Sequence, residues 1–313
     1  MRVVLVGARG MVGEAVYRTV PDERQTIFRF TRDDGDLRTD AGREKLIQLI
    51  DQVRPDVVIN LAARVGGIVG NSTKMYEYYT DNIRINTNVI DAVIDTNTRV
   101  ITLSSTCVYP VAAKIPIEES ALHSGIPEDT NFGYAFAKRM MDVQLEAAKR
   151  QYGYDKYSIV YSSNLYGFFD RYGEEAHVVP ALIDKFLDAV DKKLDVVTLK
   201  GTGAPYRQMT YVDDLGRALW RIAESGKNSN YNFANPVSLS ISEIAKTIAY
   251  YTGYNGQIVW SKDLDGIFRK DASIEKFMKD FEYDDVRRNR FIMTPFDTGI
   301  EATVKHRKKA REL

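Results

Sequence analysis

The chain is poor in the residues on which disulfides, metal centres and membrane spans depend. Its 313 residues include one cysteine and three histidines, so no internal disulfide can form and no recognisable metal-ligand set is present. No apolar run approaches the length of about 20 residues that a membrane-spanning helix needs. The apolar stretch at residues 3–6 is too short for the core of a signal peptide. Basic and acidic residues balance at 43 each, which gives no sign of a nucleic-acid or membrane-surface partner. We therefore expect a soluble, cytoplasmic protein that holds no metal.

What is present is a regular alternation of short apolar runs and amphipathic segments. The apolar runs are rich in β-branched residues, which is typical of buried strands, and the segments between them have helical periodicity. Because no hairpin turn separates the strands, the alternation predicts an α/β fold, a Rossmann-type doubly wound parallel sheet with helices on both faces. The predicted strands are residues 3–6, 26–30, 56–60, 99–103, 158–161 and 196–199, and the predicted helices are residues 11–19, 43–53, 73–96, 133–150 and 177–190.

The alternation weakens after Asn164, which predicts two unequal parts. Residues 1–164 are expected to form a nucleotide-binding Rossmann domain. Residues 165–313 are expected to form a smaller, irregular and mainly substrate-binding domain. This boundary is soft, because a segment around residues 205–235 can return to the first domain.

A glycine-rich turn separates the first predicted strand from the first predicted helix. Residues 7–13 (GARGMVG) have a glycine at every third position, which lets the backbone turn tightly and approach a pyrophosphate at the helix N-terminus. Three glycines can also form an ordinary turn, but the strand–loop–helix context favours dinucleotide binding. The residues that we assign to this binding are Gly7, Arg9, Gly10, Met11, Val12 and Gly13.

The residues after the second predicted strand bear on the choice between NAD and NADP. An acidic residue usually follows this strand and binds the adenosine ribose, whereas Arg32 follows it here and Arg9 lies in the glycine loop. Two guanidinium groups near the ribose favour a 2′-phosphate, so we expect NADP(H) as the cofactor. Arg32 could alternatively be a solvated surface residue. Asp36 and Leu37 are candidates to flank the adenine.

Three residues in the middle of the chain suit the reduction of a carbonyl group. Tyr134 and Lys138 share one face of a predicted helix, and the ammonium is expected to lower the pKa of the phenol, which makes the phenol a better proton donor near neutral pH. Ser105 follows a predicted strand at the edge where open α/β sheets bind ligands, and its hydroxyl could hydrogen-bond the carbonyl oxygen. A tyrosine and a lysine at this spacing also occur by chance. The serine at an upstream strand end argues against chance.

Several longer motifs resemble those of the extended short-chain dehydrogenase/reductases and, within them, the GDP-L-fucose synthase family. Besides the glycine loop, these motifs are residues 61–69 (LAARVGGIV), 104–110 (SSTCVYP), 164–167 (NLYG) and 177–182 (HVVPAL). The resemblance covers residues 1–215 and is loose beyond them. It implies an NADP(H)-dependent, bifunctional enzyme that converts GDP-4-keto-6-deoxy-D-mannose into GDP-L-fucose, by epimerisation at C3 and C5 and reduction at C4.

Carried over position by position, the resemblance implies roles for residues of these motifs. Ser105, Tyr134 and Lys138 would reduce the C4 keto group. Cys107 and His177 would be base and acid in the epimerisations, tasks that suit a thiolate and an imidazole. By residue type alone, Cys107 could be a small buried hydrophobe and His177 a helix cap or core residue. The remaining contacts implied are Leu61, Ala62 and Ala63, with Tyr134 and Lys138, for the cofactor, and Asn164, His177, Lys185, Lys200 and Arg207 for the substrate.

Two departures from the family pattern leave the substrate open. Phe168 and Phe169 follow Gly167 where a proline is usual, and Lys200 stands where an aromatic residue often lies near the nucleotide base. A second interpretation is therefore an epimerase and/or 4-reductase acting on another GDP-keto-sugar, such as a GDP-4-keto-heptose.

Two other functions are compatible with the motifs, and the sequence also predicts an oligomeric state. A plain 4-epimerase would recycle its nicotinamide, but it needs neither Cys107 nor His177. A catalytically silent NADP-binding protein is possible on the same fold, although the serine, tyrosine and lysine are all present here. By analogy with extended relatives, the predicted helices at residues 73–96 and 133–150 are expected to pair in a homodimer.

Overall fold

The structure, a computed structural model, describes residues 1–173, 175–262, 265–282 and 290–312. The strands are β1 (Arg2–Val6), β2 (Thr26–Phe30), β3 (Val57–Asn60), β4 (Val100–Ser105), β5 (Tyr157–Ser162), β6 (Asn164–Tyr166), β7 (Val196–Leu199), β8 (Tyr206–Tyr211), β9 (Tyr231–Phe233), β10 (Ser238–Ser240) and β11 (Gln257–Trp260). The helices are α1 (Met11–Arg18), α2 (Asp40–Val53), α3 (Ile68–Thr73), α4 (Met75–Asp95), α5 (Phe132–Tyr152), α6 (Val178–Asp191), α7 (Val212–Ser225), α8 (Ile241–Thr252), α9 (Glu275–Phe281) and α10 (Phe296–Arg311).

A six-stranded parallel sheet organises the molecule, with the strand order β2-β1-β3-β4-β5-β9. The chain runs from β1 outward to β2 and then crosses to β3 on the other side of β1. The strand order therefore reverses between β1 and β3, and open α/β sheets bind their ligands outside the carboxyl ends of the strands at such a point. The predicted α/β fold with a central parallel sheet is confirmed.

Apolar side chains from alternate positions of each strand fill a core on each face of this sheet. Val4 and Val58 pack with residues of α2, α4 and α5 on one face, whereas Val3 and Val57 pack with residues of α1, α7 and α9 on the other. These four valines have no exposed surface, and full burial of such a side chain contributes about 1.5 to 3 kcal/mol. The strand ends that carry the candidate site are therefore held by a well-packed frame.

A later part of the chain returns to the central sheet. β9 pairs with β5 at its edge, and α7 packs on α1, where the Trp220 indole donates a hydrogen bond to the Val16 carbonyl at 2.8 Å. Gly216 permits this approach, because a Cβ there would lie 2.5 Å from the Thr19 hydroxyl oxygen. Residues 212–233 thus pack with the first half of the chain, while the position of a domain boundary stays a prediction.

The remaining elements build a smaller module with its own core. β6 pairs with β8 in parallel and β10 pairs with β8 in antiparallel register, while β7 and β11 form a separate parallel pair. Phe186, Ile248 and Ile300 join α6, α8 and α10 in one buried cluster. No helix within the described ranges combines the length and the apolar character needed to cross a bilayer.

Helix and strand ends differ from the predictions where local capping decides them. α2 begins three residues earlier than predicted, because the Thr39 hydroxyl accepts a hydrogen bond from the Gly42 amide at 3.2 Å and so caps the helix. The helix predicted for residues 73–96 is α4, which begins at Met75, and a short helix that was not predicted, α3, precedes it and ends at Thr73. β4 continues through Ser105, so this serine is the last residue of the strand instead of following it.

Candidate active site

The glycine loop has the backbone geometry of a pyrophosphate cradle. Gly7 has a φ of 79°, and a Cβ there would lie 2.8 Å from the amide nitrogen of Ala62, so no other residue fits without strain. A Cβ at Gly13 would lie 2.5 Å from the carbonyl oxygen of Ala8. Gly10 is the N-cap of α1 and no side chain caps that helix, which leaves the first-turn amides for an anion. These residues fit a dinucleotide phosphate.

Arginine side chains lie beside this loop at the carboxyl end of β2. Arg9 forms an ion pair with Asp33, and both side chains are exposed. Arg32 is also exposed, and its Nη2 lies 3.4 Å from Oδ2 of Asp36. Arg38, which the sequence analysis did not single out, binds Asp36 with two nitrogens and, chiefly by hydrogen bonding, lowers the pKa of that carboxyl. Two accessible guanidinium groups in this place suit the 2′-phosphate of NADP.

The other residues predicted to bind the cofactor differ in accessibility. Leu37 is 6% exposed and its side chain packs in the core below α2, while its contact with the adenine stays a prediction. Ala62 follows β3, and its amide donates to the side-chain oxygen of Asn60 at 3.1 Å. The half-buried members of the predicted set are Met11 and Val12 in the first turn of α1, and Leu61, Ala62 and Ala63 after β3.

A serine and the cysteine meet at the carboxyl end of β4. Ser105 pairs with Ser162 of β5 in the sheet, and a short 3-10 turn, Thr106–Val108, follows at once. The Cys107 amide donates a hydrogen bond to the Ser105 hydroxyl oxygen at 3.2 Å, and both residues are half-buried. The hydroxyl and the thiol therefore lie at the same sheet edge as the glycine loop.

Tyr134 and Lys138 lie in the first two turns of α5, facing that edge. They are 8% and 3% exposed, and Lys138 Nζ donates a hydrogen bond to the Leu103 carbonyl of β4 at 3.0 Å. Burial lowers the pKa of Lys138 to about 8. Burial, and secondly negative charge at Cys107, raise the pKa of the Tyr134 phenol well above its usual value. This differs from the expected lowering, because removal of the phenol from water outweighs the effect of the ammonium. The phenol keeps its proton until a reacting oxygen takes it.

His177 is the N-cap residue of α6 and its ring does not cap the helix. The side chain reaches solvent, but protein atoms surround much of it. This partial desolvation, and secondly the positive charge of Arg171, lower the pKa of the imidazole. The neutral form of the ring is therefore favoured near neutral pH.

Two cations lie within electrostatic range of the thiol. Arg207 on β8 and Lys270 after β11 both have a pKa that burial lowers, whereas negative charge at Cys107 and at Glu128 raises it. Lys270 Nζ also donates to the Tyr109 carbonyl at 2.8 Å. Cationic surroundings of this kind suit a bound diphosphate. Arg207 was predicted from the sequence, whereas Lys270 was not, because it lies beyond the motifs and in no recognisable spacing.

Among the residues that the structure describes, no hydrogen bond or ion pair joins Cys107, Arg207 or Lys270 to the other residues that were predicted to bind the substrate. Asn164 begins β6, is exposed, and donates a hydrogen bond to the Gln208 carbonyl at 3.3 Å. Lys185 on α6 and Lys200 after β7 are exposed, and neither forms an ion pair with another described residue. In the described part of the chain, no three His, Cys, Asp or Glu side chains are placed to share a metal ion.

The fold and the site define a nicotinamide-dependent enzyme class. A phosphate cradle, a serine and a buried tyrosine–lysine pair meet at one edge of a parallel sheet. The model of the NAD dependent epimerase/dehydratase family matches residues 3–234, and the chain belongs to this family.

Its relatives within the family are GDP-L-fucose synthases. The chain is 34% identical to that of Dictyostelium discoideum over 286 residues, 87% of this chain and 86% of the relative. It is also 34% identical to that of Escherichia coli (strain K12) over 284 residues, 86% and 87% of the two chains. The solved GDP-L-fucose synthetase from Naegleria fowleri bound to NADP has a TM-score of 0.85 and 28% identity, covering 99% of this chain and 95% of that chain. A heptose reductase of C. jejuni is 20% identical and shows the fold alone.

Proposed function

We propose that the protein is an NADPH-dependent bifunctional enzyme that converts GDP-4-keto-6-deoxy-D-mannose into GDP-L-fucose. One observation carries the proposal: a reductase set and a thiol occur together at one sheet edge, in a chain 34% identical to GDP-L-fucose synthases. The thiol has no task in a simple reductase. An epimerisation needs a base, and the C4 keto group supplies the acidity at C3 and C5.

The cofactor would bind along the carboxyl edge of β1 and β2. The amides of the glycine loop face its pyrophosphate, and Arg9 and Arg32 are placed for the 2′-phosphate of NADP. When bound, NADPH supplies the hydride for C4. The NADP-bound relative supports this choice of cofactor.

The epimerisations come first, because they need the C4 keto group. Cys107, as thiolate, removes a proton from C3 or C5, and the electron pair moves onto the C4 oxygen as an enolate. Hydrogen bonds from Ser105 and Tyr134 stabilise that oxygen. His177, once protonated, returns a proton to the opposite face of the same carbon. Arg207 is placed to hold the diphosphate, which a planar guanidinium can bind at two oxygens.

The reduction then uses the tyrosine as proton donor. As the C4 carbon becomes tetrahedral, Tyr134 transfers its phenolic proton to the C4 oxygen, while the Ser105 hydroxyl orients that oxygen. The phenolate left behind would be stabilised by the ammonium of Lys138 on the next helical turn. Because burial raises the pKa of Tyr134, the proton stays on the phenol until the C4 oxygen gains charge, which suits a general acid.

Product analysis with NADPH and GDP-4-keto-6-deoxy-D-mannose tests the proposal. We expect GDP-L-fucose, identified by NMR spectroscopy, with one NADPH oxidised for each sugar formed. Tyr134→Phe should abolish the oxidation. No NADPH oxidation with this substrate, together with interconversion of a GDP-hexose that carries a C4 hydroxyl and its C4 epimer without net oxidation, would refute the proposal in favour of a plain 4-epimerase. Turnover confined to a GDP-4-keto-heptose would refute the hexose substrate.

We also propose a homodimer that pairs α4 and α5 of each subunit, in the cytoplasm. Tyr76 and Tyr79 on α4 and Val143 on α5 expose 77%, 39% and 45% of their surface, an apolar set that a partner could cover. Light scattering after size-exclusion chromatography should give twice the chain mass, and a monomer would contradict the proposal. Cys107 is a free thiol, which fits a reducing compartment; cell fractionation tests the location.

A further inference from the structure

Glu175, two residues before His177, forms hydrogen bonds with the start of α4. Glu175 accepts a hydrogen bond from Lys74 Nζ at 2.6 Å and another from the Tyr78 hydroxyl at 3.4 Å. Its carbonyl oxygen accepts a third from the Gly67 amide at 2.9 Å. A loop residue with three contacts to another part of the fold is restrained in position.

Close backbone packing strengthens this connection. A Cβ at Gly67 would lie 2.8 Å from the carbonyl oxygen of Ala176, so the two segments touch with no room for a side chain. Arg171, earlier in the same loop, donates a hydrogen bond to the Val65 carbonyl at 3.0 Å. The loop before α6 is therefore held against residues 65–67 from both of its ends.

His177 itself has few restraints of its own. Its carbonyl accepts the first helical hydrogen bond of α6, from Ala181 at 3.0 Å, but its ring caps no amide. Among the described residues no side chain hydrogen-bonds the ring. The direction of the imidazole thus depends on the backbone at residues 175–177, and Glu175 is two residues away.

We propose that the Lys74–Glu175 ion pair is a positioning clasp that orients His177 for proton return during epimerisation. Neither Lys74 nor Glu175 touches the reacting atoms in this assignment; both act through the backbone. The inference rests on the proposed function, because it assumes that His177 acts on a keto-sugar.

The exposure of the pair limits the size of the effect. The side chains of Lys74 and Glu175 are 47% and 30% exposed. The pair raises the pKa of the lysine and lowers that of the glutamate, in both cases mainly through the hydrogen bond. Exposed pairs are weak and are screened by salt. We therefore expect a loss of about threefold to fivefold in the step that the clasp serves, and a loss of similar size in the wild type at high salt.

Deuterium uptake at C3 and C5 measures that step without reduction. GDP-4-keto-6-deoxy-D-mannose is incubated in deuterated water with NADP⁺ in place of NADPH, and uptake is followed by NMR spectroscopy. Glu175→Gln and Lys74→Met should each slow uptake about threefold to fivefold. The exchanged pair, Lys74→Glu with Glu175→Lys, should restore most of the rate, and Glu175→Gln should remove the salt dependence. If the pair only stabilised the fold, its loss would lower the midpoint of urea unfolding and leave the uptake rate of the folded protein unchanged.

Glu146→Gln is the matched control, because Glu146 also contacts a cation and a tyrosine hydroxyl. Its partners are Arg150 at 2.8 Å and Tyr157 at 3.5 Å, on α5 and β5. This variant should exchange at the wild-type rate. Unchanged uptake in Glu175→Gln, an equal loss in Glu146→Gln, or no rescue by the exchanged pair would overturn the clasp. A wild type that exchanges nothing overturns the proposed function, and the clasp with it.

Discussion

Replacing Lys138 with methionine should inactivate the enzyme and yet stabilise it at neutral pH. Burial lowers the pKa of the ammonium from 10.5 to about 8, and one pKa unit corresponds to about 1.4 kcal/mol. Burying the charged form therefore costs about 3 kcal/mol below pH 8. Methionine would in turn leave the Leu103 carbonyl without its donor, and an unpaired buried carbonyl costs about 2 kcal/mol. Methionine thus removes the first cost and adds the second at similar volume, which leaves a net gain of about 1 kcal/mol at pH 7.

The change in unfolding free energy caused by Lys138→Met should reverse its sign as the pH rises. Since the folded-state pKa lies below the unfolded-state pKa, the folded protein loses the Lys138 proton first. The wild type therefore gains stability between about pH 8 and pH 10.5, where the unfolded state still binds that proton. Near pH 10 most of the penalty is gone, and Lys138→Met should be less stable than the wild type. Tyrosines that titrate in this range affect both proteins alike.

Urea unfolding of the cofactor-free proteins at pH 7 and pH 10 measures the difference, with NADPH oxidation as the activity assay. Lys149→Met is the control, because Lys149 is exposed in the last turn of the same helix, and it should change neither activity nor the pH response of stability. A Lys138→Met protein that is equally destabilised at both pH values would refute the buried-charge argument. Retained turnover would refute the role of Lys138 in reduction.

Three further predictions concern the thiol, the cofactor phosphate and the glycine loop. Cys107→Ser should lower deuterium uptake at C3 and C5 at least about 100-fold, measured by NMR spectroscopy, while NADPH affinity is kept; normal uptake would exclude the thiol as base. Arg32→Ala should weaken NADPH binding about tenfold in fluorescence titration and leave NADH binding unchanged; equal losses for both would contradict the phosphate contact. Gly7→Ala should lower the unfolding free energy, measured by urea unfolding, by at least about 2 kcal/mol. Gly153 has a similar positive φ but open space around it, so Gly153→Ala is the control and should cost about 1 kcal/mol. Equal costs for the two variants would contradict the close approach of Ala62 to Gly7.

The first half of the fold was predictable because local patterns and global packing agree there. Continuous β-branched runs such as that of β1 are specified by burial on both faces, and the parallel arrangement follows from the helices between the strands. The later strands are short, and β6 and β10 have three residues each. These strands pair with β8 through contacts between distant parts of the chain. Hydrophobic periodicity is a local pattern and cannot predict such contacts.

The candidate site divides in the same way. Ser105 and Tyr134 were identifiable because a strand end and a helix face fix where such residues point. Lys270 could not be identified from the sequence, because it comes near Cys107 only through the loop after β11, which returns from the smaller module to the end of β4. Leu37 differs from both: its position after β2 predicted a cofactor contact, which stays a prediction, and only the fold shows that its side chain packs under α2.

In the proposed enzyme, one site both exchanges protons at two carbons and reduces the carbon between them. The most direct test is the isotope content of the product formed from unlabelled GDP-4-keto-6-deoxy-D-mannose and NADPH in deuterated water. We predict GDP-L-fucose with deuterium at C3 and C5 and with ordinary hydrogen, from NADPH, at C4. A reduced product with no carbon-bound deuterium would contradict the claim.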